Sequence, residues 1–389
     1  MMILRLALRN LLGAGLRTWL NAAVLSLVFL AILTAQALLK GMYEQTESAM
    51  VATEFGGGQL LHPAYDRYDP LTIADAHGPV PPEVGALVAA GRATAVLVVP
   101  GTIYPAGRMQ PVLLKGIDPD QEIVDLPAHI LADGGGGLPV LLGGRMAEGT
   151  GLRVGDTFTV QWRDRRGTFD AREARVAGVF RTQVQSVDRG QLWLPLDVLQ
   201  AMTEMEDEAT LATLAPGVAP PMGSAWLFQD LDVLLTDIRE LVRSKMFGSM
   251  FVYAILLFLA MLAIFDTRVF AIFKRQREIG TLVAMGMTRR QVARLFTLEG
   301  LLNAVLALAM AAAYGWPLLA WFARTGWRLP ETTDAYGYAL GDVLFPRFGG
   351  DVVTGTALVI LVLAALVSFL PTRRISRVAP TDALRGRVF

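Results

Sequence analysis

Residues 19–39 read WLNAAVLSLVFLAILTAQALL, a run without one charged side chain. A helix needs about 20 apolar residues to cross roughly 30 Å of hydrocarbon, so this run is long enough to span a bilayer. Three more charge-free runs of that size follow, Met246–Phe265, Gly300–Ala323 and Val352–Thr372. Soluble domains do not carry four such runs. The composition agrees: 53% hydrophobic and 18% charged, with a mean hydropathy of +0.44, is too apolar for an ordinary soluble chain. The pattern predicts an integral membrane protein with four transmembrane α-helices.

Charge on the intervening segments sets the orientation, because Lys and Arg are retained on the cytoplasmic side. The arm before the first run holds Arg5, Arg9 and Arg17 and no acid, a net +3. In the loop 274–294 Lys274, Arg275, Arg277, Arg289, Arg290 and Arg294 face only Glu278, a net +5. The tail holds Arg373, Arg374, Arg377, Arg385 and Arg387 against Asp382, a net +4. The loop 324–351 has three bases and four acids, and the long segment 41–245 has 16 bases and 27 acids. Overall neutrality therefore hides a basic inside and an acidic outside. The expected order is a cytoplasmic amphipathic arm (1–18), a span (19–40), a large extracytoplasmic α+β domain with a helical stem (41–245), a span (246–273), a cytoplasmic loop (274–294), a span (295–323), a short outer loop (324–351), a span (352–372) and a cytoplasmic tail (373–389). A competing reading takes the first run and Ala35-Gln36-Ala37 as a cleaved secretory signal, but the long leading region and the length of the run argue against it. The acidic exterior argues against a nucleic-acid partner.

Several chemistries are excluded. Zero cysteines remove disulfides, thiolate metal sites and thiol nucleophiles. His62, His77 and His129 are scattered, so no metal ligand set is indicated. Only four lysines occur, none in a phosphate-cradling P-loop, so an ATP-driven role needs a separate ATPase. There is no H-E-x-x-H and no G-x-S-x-G, and the chain is not expected to be an enzyme. The glycines Gly134–Gly137 read as a loop.

In the outer segment the chain stays helical from Gly41 to about Glu54, until Gly56-Gly57-Gly58 ends it. Short extended runs follow at Gln59–His62, Ala95–Val99, Pro111–Ile117, Asp156–Trp162 and Ala174–Phe180, interleaved with helical pieces at Pro82–Ala90, Gly144–Gly149 and Pro195–Met205. Leu231, Leu234, Leu235, Ile238, Leu241 and Val242 then recur at helical spacing, giving an amphipathic stem that leads into the second span.

The loop 274–292 carries most of the functional signal. Ile279, Leu282 and Val283 form the apolar stripe of a short helix that Gly286 can end, and Thr288 with Gln291 can form a capping box on the next helix. Two helices thus meet at a tight elbow between two spans. An interfacial helix with arginines on lipid phosphates is the plainer reading. In the third span Ala307, Ala311 and Gly315 repeat every fourth residue and allow close helix approach, either within one subunit or between subunits. Gly315-Trp316-Pro317 marks a bend.

Glu278-Ile279-Gly280 followed by Ala284-Met285-Gly286 resembles the R-E-I-G-x-L-x-A-x-G signature of the FtsX-like permease family of ABC transporters. Leu6–Leu12 with Leu16-Arg17-Thr18 is similar to that family's N-terminal arm, and Ser376–Arg385 to its C-terminal ending. Val112–Pro119, Leu152–Asp156 and Leu192–Leu196 resemble MacB-like outer domains, most closely those of lipoprotein-releasing permeases. Asp266 and Arg268 depart from the pattern. The resemblance implies that Arg277, Glu278, Ile279, Gly280, Leu282, Ala284, Gly286, Arg289 and Arg290 couple to an ABC ATPase subunit, which would bind the ATP and Mg, this chain holding no cofactor itself. It also implies a second permease, as homodimer or sister subunit, and residence in the inner membrane. The expected role is ATP-driven movement of the outer domain for lipoprotein release. Efflux of drugs, peptides or lipids with a membrane-fusion protein, and activation of a cell-wall hydrolase without transport, are the alternatives.

Overall fold

The computed structural model describes residues 2–13, 15–132, 136–182, 184–274, 276–328 and 343–375. Contacts divide the chain into two compact units, one from the described residues of Met1–Met42, Val242–Arg328 and Val343–Phe389, the other from those of Tyr43–Leu241.

From the N-terminus the helices are α1 (Met2–Gly13) and α2 (Leu16–Met50), which ends in a π-helical turn, Val51–Phe55. In the second unit come β1 (Gln59–Leu61), β2 (Gly78–Pro79), α3 (Pro82–Ala89), β3 (Ala93–Tyr104), β4 (Gln110–Ile117), β5 (Leu138–Gly143), α4 (Gly144–Thr150), β6 (Thr157–Arg163), β7 (Phe169–Phe180), α5 (Gln185–Gly190), β8 (Gln191–Pro195), α6 (Leu196–Thr203), β9 (Glu208–Ala209), β10 (Leu211–Leu214), β11 (Leu227–Gln229) and α7 (Leu231–Leu234). The chain continues through α8 (Thr236–Lys274), α9 (Gln276–Ala284), α10 (Arg289–Met310), α11 (Trp316–Thr325), β12 (Trp327–Arg328), β13 (Val343–Leu344) and α12 (Gly350–Ile375).

Among the described residues four helical stretches are long and apolar enough to cross a membrane, Thr18–Phe55, Thr236–Leu262, Arg290–Thr325 and Gly350–Leu370. Each holds one of the charge-free runs or most of it. The amphipathic stretch before the second run and the run itself are one unbroken helix, α8, after a single break at Leu235. In the third stretch the bend takes the form of a π-helical turn, Ala311–Gly315, just before α11. Pro317 supplies the reason. It has no N–H to give, and its ring would collide with the carbonyl four residues back, so the helix loosens there.

The helical unit packs on small residues. Ala304, Ala307 and Ala311 of α10 and its π-turn are buried with Ala22, Leu25, Phe29, Leu30 and Leu33 of α2 and with Ile360 and Ala364 of α12. A Cβ on Gly315 would stand 2.5 Å from Leu30, so the repeat Ala307, Ala311, Gly315 seats α2 within this one subunit. Two polar pairs lie in that apolar setting: Tyr314 meets the buried Ser26 hydroxyl at 2.8 Å, and Thr356 donates to Gln36 at 3.2 Å. At one end Lys40 binds Asp351 at 3.1 Å and the Arg347 amide donates to the Ala37 carbonyl at 2.9 Å.

The other unit is built on a nine-stranded sheet ordered β11-β1-β10-β3-β4-β8-β5-β7-β6, in which β6 also pairs with β3. That extra pairing closes six strands, β3-β4-β8-β5-β7-β6, into a barrel, with β4–β8 and β5–β7 parallel. β3 serves both parts. Ala93–Val96 pair with β10 and Gly101–Tyr104 with β6, and the change of partner falls at Pro100-Gly101, where a strand can lose an N–H and pass close to a neighbour. The barrel interior is apolar, including Leu97, Ile103, Leu114, Val140, Val160, Val176 and Leu192, each such side chain contributing about 1.5–3 kcal/mol by leaving water. This unit is α+β, as its alternating runs suggest. Strands β5 and β8 lie in continuous apolar stretches without the alternation that marks a half-exposed strand, because both are buried throughout.

Candidate functional site

The elbow is closed by two local devices. Arg277, Glu278, Ile279, Gly280 and Leu282 lie within α9, whose last residue is Ala284. Gly286 follows in the left-handed region at φ +99°. Its amide donates to the Val283 carbonyl at 3.0 Å, and the Met287 amide to the Leu282 carbonyl at 3.0 Å. That pair of bonds is a Schellman motif, which a glycine permits without strain. Thr288 then caps α10: its hydroxyl accepts from the Gln291 amide at 3.3 Å, and the Gln291 side chain accepts from the Thr288 amide at 2.8 Å. Arg289 and Arg290 open α10.

Packing fixes the angle. Val283 and Met287 lie against buried Val292 and Phe296. Met287 precedes the cap and Val292 is four residues past it, the arrangement of a hydrophobic staple. Gly280 is buried, Leu282 half-buried, and Glu278, Ala284, Met285, Gly286 and Arg290 exposed. The elbow is therefore a preformed protrusion with a mixed-charge outer face. Among the described residues it offers shape and charge and no catalytic arrangement. α1 lies against α10, with Ala7 fully buried. Asp266 is exposed on α8, and Ser376–Arg385 lie outside the described residues.

In the β-rich unit the structure brings together residues that the sequence did not single out. Lys115 of β4, 8% exposed, binds Glu54 of the π-turn at 2.8 Å, and its ammonium lies 5.1 Å from the centre of the Trp193 ring. Gln191 donates to the same Glu54 oxygen at 3.3 Å. Beside it Arg67 stacks on Phe55 at 5.0 Å and donates to the Leu234 carbonyl at 2.7 Å. Phe55, Leu234 and Leu235 are buried with Met50 and Ile238, and Arg239 bridges Glu47 and Asp232. The end of α2 and the start of α8 are thus clamped to each other and to the sheet. One signal was available: a lysine inside the apolar run Val112–Ile117 calls for a buried counter-charge.

His62 sits edge-on to Trp226 at 6.3 Å, and its Nδ1 accepts from the Ala64 amide at 3.2 Å. Burial first, and the charge of nearby His77 second, hold its imidazole below the ordinary histidine range, although Glu208 pulls the other way. The folded state favours the neutral ring, so the unfolded chain takes up this proton first as pH falls. Stability from this group is complete above about pH 6.5 and declines as pH falls through the folded value. His62→Gln should flatten the fall of the thermal midpoint on the acid side of pH 6.5, checked by melting both proteins across that range. An unchanged slope would remove His62 from the account.

Residues 250–380 match the family model described as FtsX-like permease C-terminal; they hold most of the second apolar helix, the elbow and the last two. The chain is also similar to the lipoprotein-releasing system transmembrane protein LolC of Xylella fastidiosa strain 9a5c, 24% identical over 311 residues that cover 72% of this chain and 74% of that protein. LolC of Xylella fastidiosa strain Temecula1 is similar to the same extent.

Proposed function

The chain being an FtsX-like permease of the ABC transporter class, we propose that its elbow takes a push from a separate ATPase subunit in the cytosol and passes it to the β-rich unit outside the inner membrane, releasing a lipoprotein from the outer leaflet. The observation that carries this reading is the elbow itself, with a Schellman end, a capping box and a hydrophobic staple within the eleven residues Leu282–Val292. A loop so heavily specified resists bending, so a force applied to α9 reaches α10 instead of being absorbed between them. Net positive charge on the elbow supports a cytosolic position. The clamp of Glu47, Arg239 and Asp232 supports α2 and α8 moving together. Along α8, Phe247, Met250, Phe251, Ile255, Phe258 and Leu259 are all exposed, a face suited to a second permease. Lipoprotein as cargo rests on the similarity to LolC, and ATP and Mg belong to the partner ATPase.

The test is the triple variant Glu278→Ala, Arg289→Glu, Arg290→Glu. It should keep the fold, because none of the three residues supplies the Schellman or capping-box bonds, yet lower ATP-dependent release of a lipoprotein from reconstituted membranes by roughly 100-fold if two or three charged contacts are lost. Undiminished release would overturn the reading. Because the chain has no cysteine, Met285→Cys at the exposed tip gives a single thiol. An impermeant maleimide should reach it only from the cytosolic side.

A further inference from the structure

Between its two partners β3 has an open edge. β10 covers it as far as Val96 and β6 takes it from Gly101, so Leu97–Pro100 are paired only with β4. A cavity of about 450 Å³ lies over this gap, within the size range of small-molecule sites. The gap does not template another strand: the Val98 amide is taken by the Thr210 hydroxyl at 3.0 Å, and Pro100 has no N–H. An occupant must be held by side chains.

Those side chains are of two kinds. Ile73, Trp162, Phe169 and Met205 give apolar walls, while Arg165 and His77 also line the cavity. Both of the latter are fixed by one carboxylate, Glu208, only 7% exposed, which takes Arg165 at 2.8 Å and His77 Nδ1 on its other oxygen. Arg163 lines the cavity as well. Asp75 and Asp164 line it too, and Asp164 stays ionised, accepting from the Arg166 and Thr168 amides at 2.9 and 2.7 Å. Asp75 and Asp164 balance Arg163 and Arg165 in formal charge, so attraction for an anion rests on Arg165, whose side chain is 58% exposed and whose guanidinium spends one of its five N–H groups on Glu208. We propose that this cavity binds an amphiphile with a single acyl chain, the chain lying against Trp162, Phe169 and Met205 and its anionic head, carboxylate or phosphate, meeting Arg165 and His77. The inference goes beyond the permease reading and holds whether or not the elbow engages an ATPase.

The experiment uses the full chain in phosphatidylcholine nanodiscs, photolabelled with a twelve-carbon fatty acid carrying a terminal diazirine and, in a second arm, with the matching neutral alcohol. Adducts mapped by mass spectrometry are expected on residues 161–169 and at Met205, and more with the acid than with the alcohol. Ala74 is exposed and lines the cavity, so Ala74→Trp should fill it and lower labelling roughly tenfold. Arg165→Gln should lower labelling by the acid roughly tenfold and leave the alcohol unchanged. Phe169→Ala, on a side chain already 69% exposed, gives an independent loss should Ala74→Trp fail to fold. Adducts confined to the membrane helices, equal labelling by acid and alcohol, or labelling indifferent to these substitutions would overturn the proposal. If release of lipoprotein fails in the triple elbow variant while this labelling persists, the two readings separate.

Discussion

Replacing Lys115 with methionine is expected to destabilise the β-rich unit by roughly 3–5 kcal/mol, the range measured when one member of a buried ion pair is removed. Methionine keeps the length of the side chain and its packing on Trp193, so the loss falls on the charge. Glu54, whose side chain is 17% exposed, would be left with the single bond from Gln191, too little to replace hydration. Coulomb attraction alone does not decide the sign, because bringing both charges out of water costs about as much as their pairing returns. What decides it is the asymmetry between removing one partner and removing both. The double variant Lys115→Met, Glu54→Gln should therefore recover most of the loss. Hydrogen exchange at the β4 and β8 amides is a direct measure: the single variant should exchange roughly 150-fold to 4,000-fold faster where global opening governs. A single variant within about 0.5 kcal/mol of the parent, or a double variant no better than the single, would show that the pair is incidental.

Residues 274–292 and the apolar runs were readable in advance because their determinants are local. A glycine for the left-handed turn, Thr288 three residues before Gln291, and a run long enough to cross a bilayer each act over a few positions. The barrel was not readable, because its closure depends on β3 pairing with β6 nearly sixty residues away, and nothing in either strand names the other. Pro100-Gly101 was a visible irregularity, but only the register shows that it marks a change of partner. The same applies to Glu54 and Lys115, whose odd placement can be seen while their pairing cannot. In the third span the four-residue repeat of small side chains announced close helix approach and left the partner open. The described contacts assign it to α2 and α12 of the same subunit.

That assignment makes Gly300 the position where one added methyl should cost most in the helical unit. A Cβ there would overlap the Ser368 hydroxyl and stand 2.5 Å from its Cβ. The clash is with an atom bonded directly to the α12 backbone, and rotating Ser368 does not relieve it. Alanine would bring a helix-propensity gain of about 1 kcal/mol over glycine, against an overpacking cost of about 1–3 kcal/mol. Since the overlap is with a whole Cβ and the seam continues through Ala304 and Ala364, both buried, the cost should dominate. Gly300→Ala is expected to lower the thermal midpoint of the purified protein, and Gly300→Val to lower it further. Ser368→Gly should rescue Gly300→Ala, since it hands the same space back from the other helix. Val305 is 47% exposed on α10, and Val305→Leu serves as the control, changing size on the same helix without touching the seam. If Gly300→Ala melts with the parent, or Ser368→Gly deepens its loss, then α10 and α12 do not meet there as described, and the tight packing of the last two membrane helices would have to be abandoned.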